Sequence, residues 1–317
     1  MFTDKNNDRG SIMAKIVIAL GGNALGLSPS EQKQNIRKAV SHIVDIISDG
    51  NEVTLVHGNG PQVGLINKAL EVNDSGESFP LAESTAMSQG YIGYQLAEEM
   101  NNTLMDKGID RKCMCLMTRI AVDPDDPAFM TPTKPIGKFY SDNEAEAVRK
   151  TEPGICLRMI PERGWRRVVA SPDPIRILEE EEIKILSDAG YIVICSGGGG
   201  IPVIGRNGRY ESAEAVIDKD LAAVKTAEVV NADILMILTE VEKVFLGFGS
   251  PDQKALDRIS IEEALKYCEQ GEFGEGSMLP KIKAGIQFAS EGREVLITSL
   301  ECASDALKGL TGTRIVG

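Results

Sequence analysis

Three observations predict an α/β fold whose central sheet is mostly parallel and covered by helices on both faces. Short runs that are apolar at consecutive positions alternate with helix-period stretches along the 317-residue chain. Those runs repeatedly end in glycine, as at Gly21-Gly22-Asn23, Gly58-Asn59-Gly60 and Gly197 to Gly200. Ligands of open parallel sheets sit beyond the carboxyl ends of the strands, so the same glycines predict where a binding rim should lie.

Residues 1–12 (MFTDKNNDRGSI) are polar and unpatterned and read as a disordered tail or an added segment. The first strand is expected over 15–20, KIVIAL, apolar on both faces. Ser28-Pro29-Ser30-Glu31 is a capping box with proline at the first helical position. Ile36, Ala39, Val40, Ile43, Val44 and Ile47 mark the buried face of the helix it opens, and Gly50 stops it. A second buried strand is expected over 53–56, a helix over 81–104, a strand over 113–118 and an acidic helix over 175–189. Further strands are expected over 191–195, 234–239 and 294–299, with helices starting near Ile261 and Lys281. No internal repeat is visible.

Composition narrows the function. With 34 basic and 47 acidic residues the formal charge is −13, which argues against nucleic acid or an anionic membrane as partner. No apolar run approaches the ~18 residues of a membrane span, and the start lacks the apolar core of a signal peptide. The six cysteines include no C-x-x-C pair and read as free thiols of a cytoplasmic protein. Only His42 and His57 are available, so a zinc site or a Ser-His-Asp triad has almost nothing to draw on. Val63 stands where the third glycine of a dinucleotide fingerprint belongs, and no Walker A sequence occurs.

The stretch 191–223 concentrates the chemistry. A buried strand runs into Ser196 and four glycines, whose bare backbone can let N–H groups approach an anion. Asp218-Lys219-Asp220 then sits at a helix entry, placing a cation beside unpaired N–H donors. Lys281, also at a helix start, opposes the helix dipole preference, which makes a role in binding an anion more attractive. A flexible loop followed by a solvated charge triplet is the competing reading. Between them, residues 119–171 break the alternation. They hold six prolines, the only tryptophan and a cluster of Arg158, Arg163, Arg166 and Arg167. Phe129, Phe139, Tyr140 and Trp165 favour an ordered insertion there, read as a lid, with the arginines either functional or ordinary surface charge.

Eight segments, in order, carry a resemblance. They are Ala19 to Ala24 (ALGGNA), His57 to Gly64 (HGNGPQVG), Ala86 to Gly90 (AMSQG), Pro132 to Gly137 (PTKPIG), Arg163 to Arg166 (RGWR), Gly197 to Val203 (GGGGIPV), Glu214 to Asp220 (EAVIDKD) and Gly276 to Lys281 (GSMLPK). From Lys15 to its end the chain resembles carbamate kinase, of the amino acid kinase fold. It departs from the family pattern at Arg119 and at Glu83-Ser84-Thr85, and aligns loosely over 149–160.

The resemblance implies a three-layer αβα sandwich, a small protruding lid subdomain and a homodimer. It implies reversible phosphoryl transfer between carbamoyl phosphate with ADP and carbamate with ATP, helped by Mg²⁺. The reaction commonly runs toward ATP in fermentative catabolism, arginine metabolism included. By position, Lys134, Lys219 and Lys281 resemble the cations around the transferred phosphoryl, and Asp220 the carboxylate that orients them. The acceptor cradle would comprise Gly21, Gly22, Asn23, Gly58, Asn59, Gly60, Gly198 and Gly199. Lys219, Asp220, Thr239, Met278 and Lys281 would face the nucleotide, and no protein ligand set is implied for the metal, which nucleotide phosphates would hold. The expected division is an acceptor lobe (13–118 and 172–205), a lid (119–171) and a nucleotide lobe (206–317), with no appended regulatory module. The competing functions are another kinase of this fold, acting on a carboxylate or nucleoside monophosphate, and an inactive regulatory binding protein.

Overall fold

The computed structural model describes residues 13–21, 25–26, 28–70, 79–152 and 154–317. The expected tail at 1–12 and the expected cradle residues Gly22 and Asn23 lie outside the described residues.

An eight-stranded sheet forms the middle layer, in the order Arg258–Ser260, Thr313–Val316, Glu294–Ser299, Ile234–Thr239, Lys15–Leu20, Glu52–His57, Ile192–Ile194, Cys113–Cys115. All neighbours are parallel except Glu294–Ser299 and Thr313–Val316. The strand Lys15–Leu20 shows how sequence produces the layering. Its side chains alternate, so Ile16, Ile18 and Leu20 join Ile43 and Leu96 on one face, from the helices Pro29–Ser48 and Leu81–Asp106. Val17 and Ala19 join Val224 and Phe288 on the other, from Lys219–Val229 and Met278–Ala289. A strand apolar at every position is stable only with both faces covered, and here both are. Phe288, fully buried, is one anchor of that second layer; trimming such a side chain to alanine costs about 3–5 kcal/mol.

Two smaller sheets flank the C-terminal edge. Arg209–Ser212, Ile201–Arg206, Arg119–Val122 and Pro174–Ile177 form a four-stranded sheet. Its hairpin turns on Asn207-Gly208, both at positive φ (50° and 76°), the backbone a two-residue type I′ turn requires. Lys134–Tyr140, Gly164–Val169 and Leu157–Ile160 form a three-stranded antiparallel sheet backed by the helix Asp142–Thr151. Trp165 donates to Asp142 Oδ1 at 2.8 Å, and the Arg149 guanidinium lies 4.3 Å from the Trp165 ring centre. The insertion is thus ordered around its aromatic residues.

Several boundaries differ from expectation. The acidic helix expected over 175–189 divides into the strand Pro174–Ile177 and the helix Glu180–Asp188. Its backbone pairs antiparallel with Arg119–Val122, Ile177 opposite Ile120 and Pro174 opposite Val122, and that pairing makes the segment a strand. The strand expected over 113–118 stops at Cys115, because Thr118 turns to bond Gln89 and Ser196 instead. A further strand, Thr313–Val316, follows the one expected to be last. In the expected division, Arg119–Val122 pairs with Ile201–Arg206 and Pro174–Ile177, so the three-stranded sheet that stands apart begins only at Lys134. The two expected lobes share one continuous sheet, joined where Lys15–Leu20 pairs with Ile234–Thr239.

Candidate active site

A cleft of about 1130 Å³ runs along the C-terminal edge of the central sheet, with the three-stranded sheet on its far side. Strand ends supply its floor, at Leu20-Gly21, Gly58-Asn59 and Leu238-Thr239. The first turns of the helices Gly60–Leu70, Lys219–Val229 and Met278–Ala289 also line it.

Asp220 is the centre of its charge arrangement. The side chain is almost fully buried, with Lys219 Nζ at 2.9 Å from Oδ1 and Lys281 Nζ at 3.0 Å from Oδ2. Burial pushes the Asp220 carboxyl up, but the two ammonium groups outweigh it and hold it at about 2. Lys219 shows the opposite balance: burial lowers its ammonium more than the aspartates restore. Its Nζ is buried and, among the described residues, has the Asp220 carboxylate 2.9 Å away but no partner in hydrogen-bond geometry. A buried ammonium that lines a cleft can donate to an anion bound there.

Asp218 completes the cluster. It caps the helix Lys219–Val229 by accepting from the Asp220 N–H at 2.8 Å, and its other oxygen accepts from Lys134 Nζ at 2.7 Å. Lys134 comes from the three-stranded sheet, so its ammonium approaches from across the cleft. Lys68, Lys138, Arg163, Arg166 and Arg167 add positive charge along the walls, against Glu240 and the two engaged aspartates. A chain with formal charge −13 therefore presents a basic cleft, as an anionic ligand requires. Arg163 and Arg166 lie with their guanidinium groups 4.4 and 5.0 Å from the Phe139 ring centre, while Arg167 reaches Glu214 at 3.8 Å.

The glycine turn also has a packing task. The Gly199 and Gly200 N–H groups donate within the turn, to Ser196 and Gly197 carbonyls. A β-carbon on Gly197 would strike His57, one on Gly198 the Asn59 amide, and one on Gly199 the Ile217 carbonyl. The turn thus seats neighbouring loops by close approach. Gly198 lines the cleft and Gly199 does not. Buried Gln89 holds the turn to the helix Leu81–Asp106, donating to the Gly197 and Thr118 carbonyls at 2.9 and 3.1 Å.

Of the residues expected in the site, Lys134, Lys219, Asp220, Lys281, Gly21, Gly58, Asn59, Gly60, Gly198, Thr239 and Met278 all line this one cleft. The Asn59 amide is fixed by donating to Ser88 Oγ at 2.7 Å, and Ser88 in turn donates to the Thr85 carbonyl. Arg119 points elsewhere and pairs with Glu179 at 2.7 Å. His57 is buried, and desolvation lowers its imidazole to about 4, so it is neutral at physiological pH. The structure adds Asp218 and Gln89 to the expected residues. The N-cap position before Lys219 was the available signal for Asp218, whereas Gln89 acts through contacts 108 residues distant in sequence.

The amino acid kinase family model matches residues 14–299. The carbamate kinase-like protein YqeA of Escherichia coli (strain K12) is 48% identical over 95% of this chain and 98% of its own length. The carbamate kinase of Clostridium perfringens (strain 13 / Type A) is 47% identical over 95% and 99%. The solved structure of carbamate kinase from Giardia lamblia bound to AMP-PNP superposes with a TM-score of 0.89 at 42% identity, covering 96% of this chain and 99% of that one. The family match, the superposition and the near full-length similarity agree that this chain belongs to the amino acid kinase family, in its carbamate kinase branch.

Proposed function

We propose that the protein is an ATP-dependent carbamate kinase, transferring a phosphoryl group reversibly between carbamoyl phosphate with ADP and carbamate with ATP. The observation that carries this reading is Asp220 gripping Lys219 and Lys281 beside a cleft that Lys134 enters from the other wall. Phosphoryl transfer asks for in-line positioning and cations around the moving group, with little covalent work by the protein. In the ATP-forming direction a terminal ADP oxygen attacks phosphorus and carbamate leaves as an anion. No proton must move, so a neutral, buried His57 is no handicap. Lys219 and Lys281 stabilise the charge that shifts across the phosphoryl oxygens, and Asp220 keeps them aimed.

The nucleotide would lie toward Thr239 and Met278, and the acceptor toward Gly21, Gly58, Asn59 and Gly198. Mg²⁺ fits here as an ion carried by the nucleotide, supplying neutralisation of phosphate charge. Asp218 and Asp220 are each already engaged by lysines, so phosphate oxygens and water would provide most of its ligands. Two properties complete the reading. Free cysteines support a cytoplasmic location. Exposed Met87, Tyr91, Tyr94 and Met105 on one helix, with Met114 and Met117 at the sheet edge, support a homodimer, which sedimentation would test.

The deciding experiment is a coupled assay of ATP formed from ADP and carbamoyl phosphate with Mg²⁺. Robust turnover is expected, with acetylglutamate, aspartate and UMP poor acceptors in reverse. Activity on one of those, and none on carbamoyl phosphate, would assign a neighbouring kinase chemistry instead.

A further inference from the structure

Asp218 is the one carboxylate in the cluster that the transfer step leaves without a task. Its two oxygens face different ways. Oδ1 accepts from the Asp220 N–H at 2.8 Å and starts the helix; Oδ2 accepts from Lys134 Nζ at 2.7 Å. The anchor is the more buried partner, its side chain 17% exposed against 36% for the lysine. Lys134 is the first residue of the strand Lys134–Tyr140, so this single ion pair ties the three-stranded sheet to the helix carrying Lys219 and Asp220.

Charge explains why the tie is needed. Lys219 and Lys281 already share the one carboxylate of Asp220. A third ammonium entering the same cleft is repelled unless another negative charge meets it, and like-charge repulsion grows as water is excluded. Asp218 provides that charge before any substrate is present. A bound phosphoryl group would then offer Lys134 a second acceptor within the same cluster, without the ammonium having to travel in from solvent.

We propose that Asp218 is a positioning residue: it draws Lys134, and the three-stranded sheet with it, over the cleft and holds the ammonium ready for the phosphoryl group. This rests on the carbamate kinase reading above. Two substitutions separate the anchor from the helix cap. Asp218→Asn keeps a cap oxygen while removing the charge, since asparagine caps as well as aspartate; Lys134→Met removes the cation and leaves the cap untouched.

The test has a part that needs no turnover. Hydrogen exchange of the amides in 134–140, measured on the whole protein without substrates, should speed up to a similar extent in both variants. Their melting temperatures should stay close to the wild type. In the ATP-forming assay Asp218→Asn should lower kcat about 10-fold or more with KM for ADP unchanged. The double variant Asp218→Asn with Lys134→Ala should be no slower than Lys134→Ala alone, because the two act as one unit. Unchanged exchange in Lys134→Met, or losses that multiply in the double variant, would overturn the proposal. Should Asp218→Asn not fold, Asp218→Ser repeats the comparison with another capping side chain. A wild type that makes no ATP from carbamoyl phosphate defeats the functional reading alone, since the exchange result stands apart from it.

Discussion

Gly198 lies so close to Asn59 that a β-carbon on the glycine would overlap the asparagine amide group. The glycine is also held at φ 68°, a backbone region that side-chain-bearing residues rarely adopt. Gly198→Ala should therefore destabilise the fold by about 1–3 kcal/mol from strain and overlap together. Gly60, with open space around it, is the control: Gly60→Ala should melt near the wild type. Thermal unfolding of the two variants side by side checks this, and equal midpoints would show that the turn yields easily.

The same turn marks where sequence reading stopped. Buried strands and the two layers were legible because Lys15–Leu20 and Ile234–Thr239 are apolar at nearly every position, and only a doubly covered sheet accommodates that. Ser28 and Glu31 fixed a helix start through purely local bonds, and the capping box is present. Four consecutive glycines were legible as special, but their purpose was not, because what they make room for comes from His57, Asn59 and Ile217. The Asn207-Gly208 hairpin obeys local rules too, since asparagine and glycine both accept positive φ. The strand Pro174–Ile177 was not readable, since an acidic helix follows it at once and its partner strand lies more than fifty residues earlier.

Lys219→Ala and Lys281→Ala each remove an ammonium held by Asp220. Turnover should fall on the order of 10²- to 10³-fold, the range seen when one preorganised donor to developing charge is lost. Asp220→Asn should be at least as damaging, since it releases both lysines at once. Steady-state kcat for ATP formation reads all three, and near-normal values would remove these residues from the chemistry.

Lys134→Ala should separate catalysis from nucleotide binding. Its ammonium arrives with the three-stranded sheet, whereas Thr239 and Met278 lie on other elements. A strong loss of kcat is expected with ADP affinity, measured by calorimetry without acceptor, little changed. Equal loss of ADP affinity would place Lys134 at the nucleotide.

His57 should make the fold acid-sensitive. Its imidazole is held at about 4 when folded, below its ordinary 6.5, mainly by burial. The unfolded chain therefore binds the proton first as pH falls. The associated stability is present above pH 6.5 and is lost as the pH drops toward 4. Between pH 7 and pH 5 the loss should be about 2 kcal/mol. Urea unfolding at the two pH values measures it, and His57→Gln should flatten the difference whatever its effect at pH 7.

The pairing of Lys15–Leu20 with Ile234–Thr239 also has a cost in time. The two strands lie 218 residues apart, so one edge of the middle strand stays open until most of the chain has been synthesised. An apolar strand with a free edge is a template for pairing with a neighbouring nascent chain. Contacts this distant slow the search for the native pairing, and a chain of this length passes through partly folded species on the way. Expression yield should consequently respond more to translation rate and chaperone supply than to any substitution in the cleft.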